Sequence, residues 1–170
     1  MNDAERYDPK ERASLHFKWS ELAVSASRPD LAERAARDWT PWTRQNAKTL
    51  LRTVVEPLRA HIGKPFQVLS CYRPIYLNRA VGSRDTSQHL TASAIDFRPI
   101  PHTQPDFYKI FAWCWDNPIF GQAIFYFRGE LCYMVHLSLP GNKKGEILTS
   151  RGGRYRRAYP TFKANETKGE

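Results

Sequence analysis

Two strand-like runs near the C-terminal end constrain the fold more than any other feature of the chain. The first is QAIFYF, from Gln122, and the second is ELCYMVHLSLP, from Glu130, with only Arg128-Gly129 between them. Two apolar, aromatic-rich runs joined by a short glycine turn are typical of a β-hairpin. We therefore expect an antiparallel sheet, and the rest of the chain must supply a layer that covers one face of it.

Helical periodicity in the first third of the chain supplies that layer. From Thr43, apolar residues recur on one helical face until Gly63, a residue type typical of helix ends. Pro57 lies inside this pattern and lacks a backbone donor, which predicts a kink or an early end. LHFKWSELA, from Leu15, is predicted to be a docking segment. Helices followed mainly by strands predict an α+β domain, with a small antiparallel sheet packed on N-terminal helices.

Three further segments complete the predicted domain. FQVLSCY, from Phe66, and SAIDFRP, from Ser93, are predicted strands, and PDFYKIFAWCWDN, from Pro105, is a predicted helix that Thr103 or Asp106 would cap. The stretch RPIYLNRAVGSRDTSQHL, from Arg73, is polar and shows no sustained period. A loop of this length in a compact domain is usually functional.

Composition sets the class of protein. The 170 residues contain 41% hydrophobic residues, which suits one domain, predicted at residues 1–150. Residues 151–170 are rich in arginine and are predicted to be a basic tail. Three cysteines without C-x-x-C spacing indicate neither a disulfide framework nor a cysteine metal cluster. No apolar run reaches the roughly 20 residues of a membrane helix, and the charged N-terminus predicts no export signal, hence the cytoplasm of the producing cell.

Side-chain alternation identifies His136 and Asp96 as candidate site residues. In the second hairpin strand the odd positions from Leu131 to Leu139 are apolar or aromatic, so they are predicted to face the core and His136 the opposite face. In SAIDF the same alternation turns Asp96 away from the core. His89, seven residues before Asp96 in the polar stretch, is able to join them.

Two histidines and one carboxylate with a vacant fourth position are the ligand set of a catalytic zinc site. Imidazole together with carboxylate favours zinc over calcium or magnesium, and iron, manganese and nickel remain alternatives. The spacing alone is weak support, because a chain with five histidines offers many such triples. A single histidine on a strand is also more often structural than metal-binding.

A longer motif carries a resemblance. The stretch from Ser70 to Phe97 contains S-C-Y-R and, further on, S-x-H followed seven residues later by D, and V-H-L-S follows much later in the chain. This pattern resembles the zinc D-alanyl-D-alanine carboxypeptidase family, which includes phage L-alanyl-D-glutamate endolysins and shares its fold with Hedgehog domains. The resemblance implies that His89, Asp96 and His136 bind zinc. It also implies that Arg73 holds a substrate carboxylate, and it assigns Ser87 to substrate binding.

The chain departs from this family at the general base. Members carry a carboxylate three residues before the last histidine or at the end of the preceding strand, where this chain has Tyr133 and Tyr126. Glu130 is the nearest carboxylate in sequence and becomes the candidate catalytic residue. Six residues of regular strand would nevertheless place it roughly 20 Å from His136.

The sequence therefore predicts a phage-encoded zinc peptidase that hydrolyses peptidoglycan stem peptides. It is expected to act at the cell wall after release or within the virion, beside other virion proteins. The alternative is a non-catalytic virion or wall-binding module that retains the metal site. The net charge of +9 attracts anionic polymers in general. Nucleic acid has only this charge in its favour, and neither nucleic acid nor a membrane is an expected partner.

Overall fold

The computed structural model describes residues 10–158 and confirms the α+β prediction. Its helices within this range are α1 Trp19–Leu22, α2 Pro29–Ala36, α3 Pro41–Leu50, α4 Glu56–Ile62, α5 Ile75–Ala80 and α6 Gln104–Asp116. Its strands are β1 Phe66–Ser70, β2 Ala94–Pro99, β3 Gln122–Arg128, β4 Leu131–Ser138, β5 Glu146–Arg151 and β6 Arg154–Arg157. They form one sheet in the order β1-β2-β4-β3-β5-β6, in which only β3 and β5 pair in parallel.

The main packing helix has an unusual middle. A π-helical segment, Leu51–Val55, joins α3 to α4 and directly precedes the first turn of α4, which contains Pro57. A proline ring collides with the carbonyl four residues earlier and offers it no donor, so the wider π turn accommodates Pro57 without ending the helix. Gly63 then ends α4 in the left-handed conformation (φ +70°), as predicted.

The core lies between the helices and one face of the sheet. Ile95 and Phe97 of β2 and Val135 and Leu137 of β4 are fully buried in it. Alternation then turns their neighbours Asp96 and His136 to the opposite face, which we call the metal face. The predicted docking segment also joins the core, through a set of large side chains: Phe17, Trp19 and Leu22.

The predicted alternation is wrong in the first half of β4. Tyr126 pairs with Met134 whereas Phe127 pairs with Cys132, so Tyr133 is an extra residue, a β-bulge. As a consequence Leu131 is 61% exposed, and Cys132 takes a core position. Tyr133, predicted to face the core, is only half-buried.

The sheet extends further along the chain than the hairpin pattern indicated. Residues 146–151 form β5 and residues 154–157 form β6, so the predicted boundary between domain and tail at 150/151 falls inside β5. The remainder of the predicted tail, residues 159–170, lies outside the described residues. Within residues 10–158, no helix is both long and apolar enough to cross a membrane.

The long polar stretch between β1 and β2 is partly helical. It contains α5 and then a 3₁₀ turn, Gln88–Thr91. The backbone N–H of Arg73 donates to the carbonyl of His89 at 2.9 Å, so the two ends of the stretch meet beside the sheet. This closure brings the side chain of His89 to the strands that carry Asp96 and His136.

Candidate metal centre

Three side chains converge on the metal face of the sheet. Asp96 lies directly opposite His136 in the pairing of β2 with β4. His136 Nδ1 is 2.8 Å from Asp96 Oδ1 and 3.3 Å from Nε2 of His89, and that Nε2 is 3.2 Å from Asp96 Oδ2. All three residues are buried. The structure therefore brings together the three residues that the sequence selected as metal ligands.

The orientation of His89 is fixed by its own turn. Ser87, which was assigned to substrate binding, accepts a 3.4 Å hydrogen bond from the backbone N–H of His89 and so caps the 3₁₀ turn. The His89 ring lies 2.7 Å, through Nδ1, from the carbonyl oxygen of Cys71. Because a carbonyl only accepts, Nδ1 carries the proton and Nε2 is left with a lone pair that faces Asp96 and His136.

Electrostatics favour the ligand forms of these groups. Burial lowers the pKa of His89, which keeps the imidazole neutral. Burial alone would raise the pKa of Asp96, but the adjacent His89 and the hydrogen bond between Asp96 Oδ1 and His136 Nδ1 hold it well below its ordinary value. A neutral imidazole and an ionised carboxylate are the states that bind a metal, so His89 and Asp96 already have the forms that ligation requires.

The spacing of the ligand atoms suits a tetrahedral ion. Bonds of about 2.0–2.1 Å at tetrahedral angles place ligand atoms roughly 3.3–3.4 Å apart. The two imidazole nitrogens are 3.3 Å apart, and Asp96 lies 2.8 Å from His136 through Oδ1 and 3.2 Å from His89 through Oδ2. The carbonyl of Cys71 supplies the outer hydrogen bond that metal-bound imidazoles normally make. The cluster is therefore able to hold one metal ion with few side-chain movements.

Arg73 lies at the edge of the cluster. Its Nη2 is 3.4 Å from Asp96 Oδ2, and its side chain is 14% exposed. Burial lowers the pKa of Arg73 and the charge of Asp96 opposes this shift. Two buried polar atoms near Asp96, Arg73 Nε and Ser70 Oγ, have no hydrogen-bond partner within the described residues. Buried polar atoms without partners are uncommon, and here both lie beside the candidate metal ligands.

Glu130 does not join the cluster. It lies in the turn between β3 and β4, its side chain is 75% exposed, and it forms a 3.3 Å ion pair with Arg151. Among the described residues, Asp96 is the only carboxylate in the group of converging ligand atoms. The structure thus provides no reason to keep Glu130 as the general base, because a base must lie within hydrogen-bond reach of the proton it removes.

The two tyrosines at the base positions differ. Tyr133 occupies the bulge, with the guanidinium of Arg128 4.9 Å from its ring centroid. Tyr126 is half-buried, and its pairing with Met134 places it on the metal face. Of these two tyrosines, Tyr126 is therefore the one that the strand pairing places on the metal face.

Sequence reasoning missed two features of the site. The carbonyl of Cys71 carries no side-chain signal, since any residue type offers the same acceptor. Ala92 ends the 3₁₀ turn with φ +54°. This left-handed conformation is rare for a residue with a Cβ atom, so the residue type gave no signal of the sharp turn between His89 and Asp96.

A comparison with protein families identifies the family to which the chain belongs. The family described as Peptidase M15 matches residues 15–130, which contain His89 and Asp96 but not His136. The chain belongs to this family. No curated protein matches the chain. Peptidases of this family are metal-dependent hydrolases, and the match supports a peptidase that acts on peptidoglycan. The third ligand lies beyond the matched residues, and the pairing of β2 with β4 brings it to the other two.

Proposed function

We propose that the protein is a zinc peptidase that hydrolyses peptide bonds in the stem peptides of peptidoglycan. The observation that carries this proposal is the convergence of His89, Asp96 and His136 within a member of a metal-dependent peptidase family. Zinc is the preferred ion because two imidazoles and one carboxylate at tetrahedral spacing form its usual catalytic ligand set.

Each residue has a distinct task in the proposed reaction. His89, Asp96 and His136 would hold the ion, which when bound supplies a Lewis acid that polarises a carbonyl group and lowers the pKa of water. Arg73 would bind a carboxylate of the stem peptide, because a planar guanidinium pairs with a carboxylate through two parallel hydrogen bonds. The position of its Nη2 beside Asp96, at the edge of the cluster, supports this role. Ser87 holds the turn of His89 and contributes indirectly.

The lack of a positioned base predicts a slow enzyme. Tyr126 and Tyr133 replace the carboxylate of relatives, and Glu130 is engaged with Arg151 at the hairpin turn. A positioned general base typically contributes about 100- to 10,000-fold to the rate. Hydrolysis should therefore depend on the metal and be slower than in relatives by a factor of this order.

The lack of a positioned general base also supports a second function. A chain that keeps the ligands without a base would serve as a wall-binding module, either free or as part of a virion. The resemblance to phage endolysins extends both proposals to a phage protein that meets peptidoglycan at the cell wall and assembles beside other virion components.

Digestion of purified muropeptides separates the two functions. Zinc-loaded protein should release stem-peptide fragments, and a chelator should stop the release. His136→Ala should be inactive because it removes a ligand, whereas His61→Ala, at an exposed position on α4, should digest normally. Sedimentation with intact wall sacculi but no product from the zinc-loaded protein would establish the wall-binding module instead. Undiminished digestion after metal removal would contradict both functions.

A further inference from the structure

The register of the sheet places Tyr126 diagonally across from a metal ligand. Ile124 of β3 pairs with His136 of β4, and Tyr126 pairs with Met134, two residues before His136. Directly paired residues share a face, and so do residues two apart on one strand. Tyr126 therefore faces the same side as His136. Diagonal neighbours of this kind lie about 7–8 Å apart, within reach of an aromatic side chain.

A second tyrosine continues this row on the C-terminal strands. Tyr126 pairs with Ser150 of β5, and Ser150 pairs with Tyr155 of β6. The rings of Tyr126 and Tyr155 meet edge to face, with centroids 6.4 Å apart. Tyr155 lies outside the residues that match the peptidase family. The last hairpin of this chain thus adds a side chain to the metal face.

The surroundings of Tyr126 keep its phenol protonated. Burial raises its pKa well above the ordinary value, and a hydrogen bond with Tyr155 and the negative charge of Asp96 add to this shift. A neutral phenol is a poor base and a good hydrogen-bond donor.

We propose that Tyr126 donates a hydrogen bond to the carbonyl oxygen of the scissile peptide bond, and that Tyr155 is the positioning residue that fixes its ring. This inference rests on the proposed peptidase function. Negative charge develops on that oxygen as water adds to the carbonyl carbon, and a donor aimed at it stabilises the transition state more than the substrate. The phenol keeps its own proton throughout, and with substrate bound it turns that proton from the oxygen of Tyr155 to the substrate oxygen. The site therefore has a donor at the position where relatives carry a base.

The test replaces one hydroxyl at a time in the zinc-loaded protein. Tyr126→Phe keeps the ring and removes the donor, so kcat on a purified muropeptide should fall about 100- to 1,000-fold with little change in KM. Tyr155→Phe should lower kcat by a smaller factor, since its hydroxyl acts only through Tyr126. Tyr133→Phe, at the bulge, is the matched control and should leave kcat unchanged. Metal content should be the same in all four proteins.

Binding of a phosphinic acid analogue of a D-alanyl-D-alanine dipeptide, measured by calorimetry, provides a readout that is independent of turnover. Tyr126→Phe should weaken this binding by the same factor as kcat, because the phosphinate mimics the tetrahedral arrangement. Equal kcat and equal phosphinate affinity in wild type and Tyr126→Phe would overturn the donor role and leave the peptidase function intact. A wild type that binds the phosphinate through Tyr126 but hydrolyses nothing would keep the donor and overturn the peptidase function. A wild type that does neither would overturn both.

Discussion

The two halves of β4 differ in how firmly the sheet fixes their side chains. Residues 135–138 are all buried and pair with β2, and residues 135–137 also pair with β3 on the other side. Residues 131–134 have register partners only on β3, contain the bulge at Tyr133 and begin with an exposed Leu131. His136 of the metal-ligand cluster lies in the first of these regions, and Tyr133 lies in the second.

This difference shows why the two regions hold their side chains with unequal firmness. A strand between two partners cannot shift its register without moving a whole set of core side chains to the wrong face, so the orientation of His136 is strongly fixed. A half-strand with one partner tolerates an extra residue, because the bulge disturbs only local pairing. The ligand set is thus protected by the core, whereas the base position is free to change.

Truncation of a core leucine should have the largest effect and tests whether the two halves of β4 differ in packing. Leu137 is fully buried next to His136, and Leu137→Ala should lower the free energy of unfolding by about 2–5 kcal/mol through lost burial and a cavity. Leu131→Ala, in the other half of the same strand, is the matched control and should change it by less than about 0.5 kcal/mol. Urea unfolding measures both. Similar losses in the two variants would mean that the halves are equally well packed.

A smaller effect should come from the residue that supports the bulged half. Gln104, at the start of α6, donates to the carbonyl of Cys132 at 2.8 Å and accepts from the N–H of Cys132 at 2.9 Å. Gln104→Ala should therefore cost about 1–3 kcal/mol of unfolding free energy, because it leaves both backbone groups without this partner. Gln45→Ala, which removes one exposed 3.4 Å contact with Thr49, should cost less than about 0.5 kcal/mol.

The zinc content of Gln104→Ala tests whether the two halves of β4 are independent. Gln104→Ala should bind as much zinc as the wild type, because the bulged half carries no ligand. Lost zinc in a folded Gln104→Ala protein would show that the two halves are coupled.

The sequence predicts the site unequally for physical reasons. Asp96 and His136 follow from alternation, since each lies in a strand with fully buried neighbours on the core side. His89 lies in a turn with no period, so its position offers it only as a candidate, and the motif resemblance is what selects it. The bulge at Tyr133 leaves no trace in the apolar pattern, because Leu131 and Tyr133 are apolar or aromatic whichever way they face.

The fold was predicted least well where strands lie at the margin of the sheet. β5 is flanked by charged residues, and every residue of β6 is exposed, so β6 shows no apolar alternation and looks like a tail. The short helix α5 was missed because six residues after Pro74 are too few to show a helical period. Such elements depend on pairing and contact with the rest of the fold more than on their own sequence.

Metal content of purified protein, measured by elemental analysis after zinc loading and dialysis, tests the central claim most directly. Wild type should retain about one zinc per chain, and His89→Ala and His136→Ala should retain almost none, because each supplies one of three protein ligands. His61→Ala should match the wild type, and circular dichroism should show that all variants are folded. Full zinc occupancy in His136→Ala, or none in the wild type, would contradict the account.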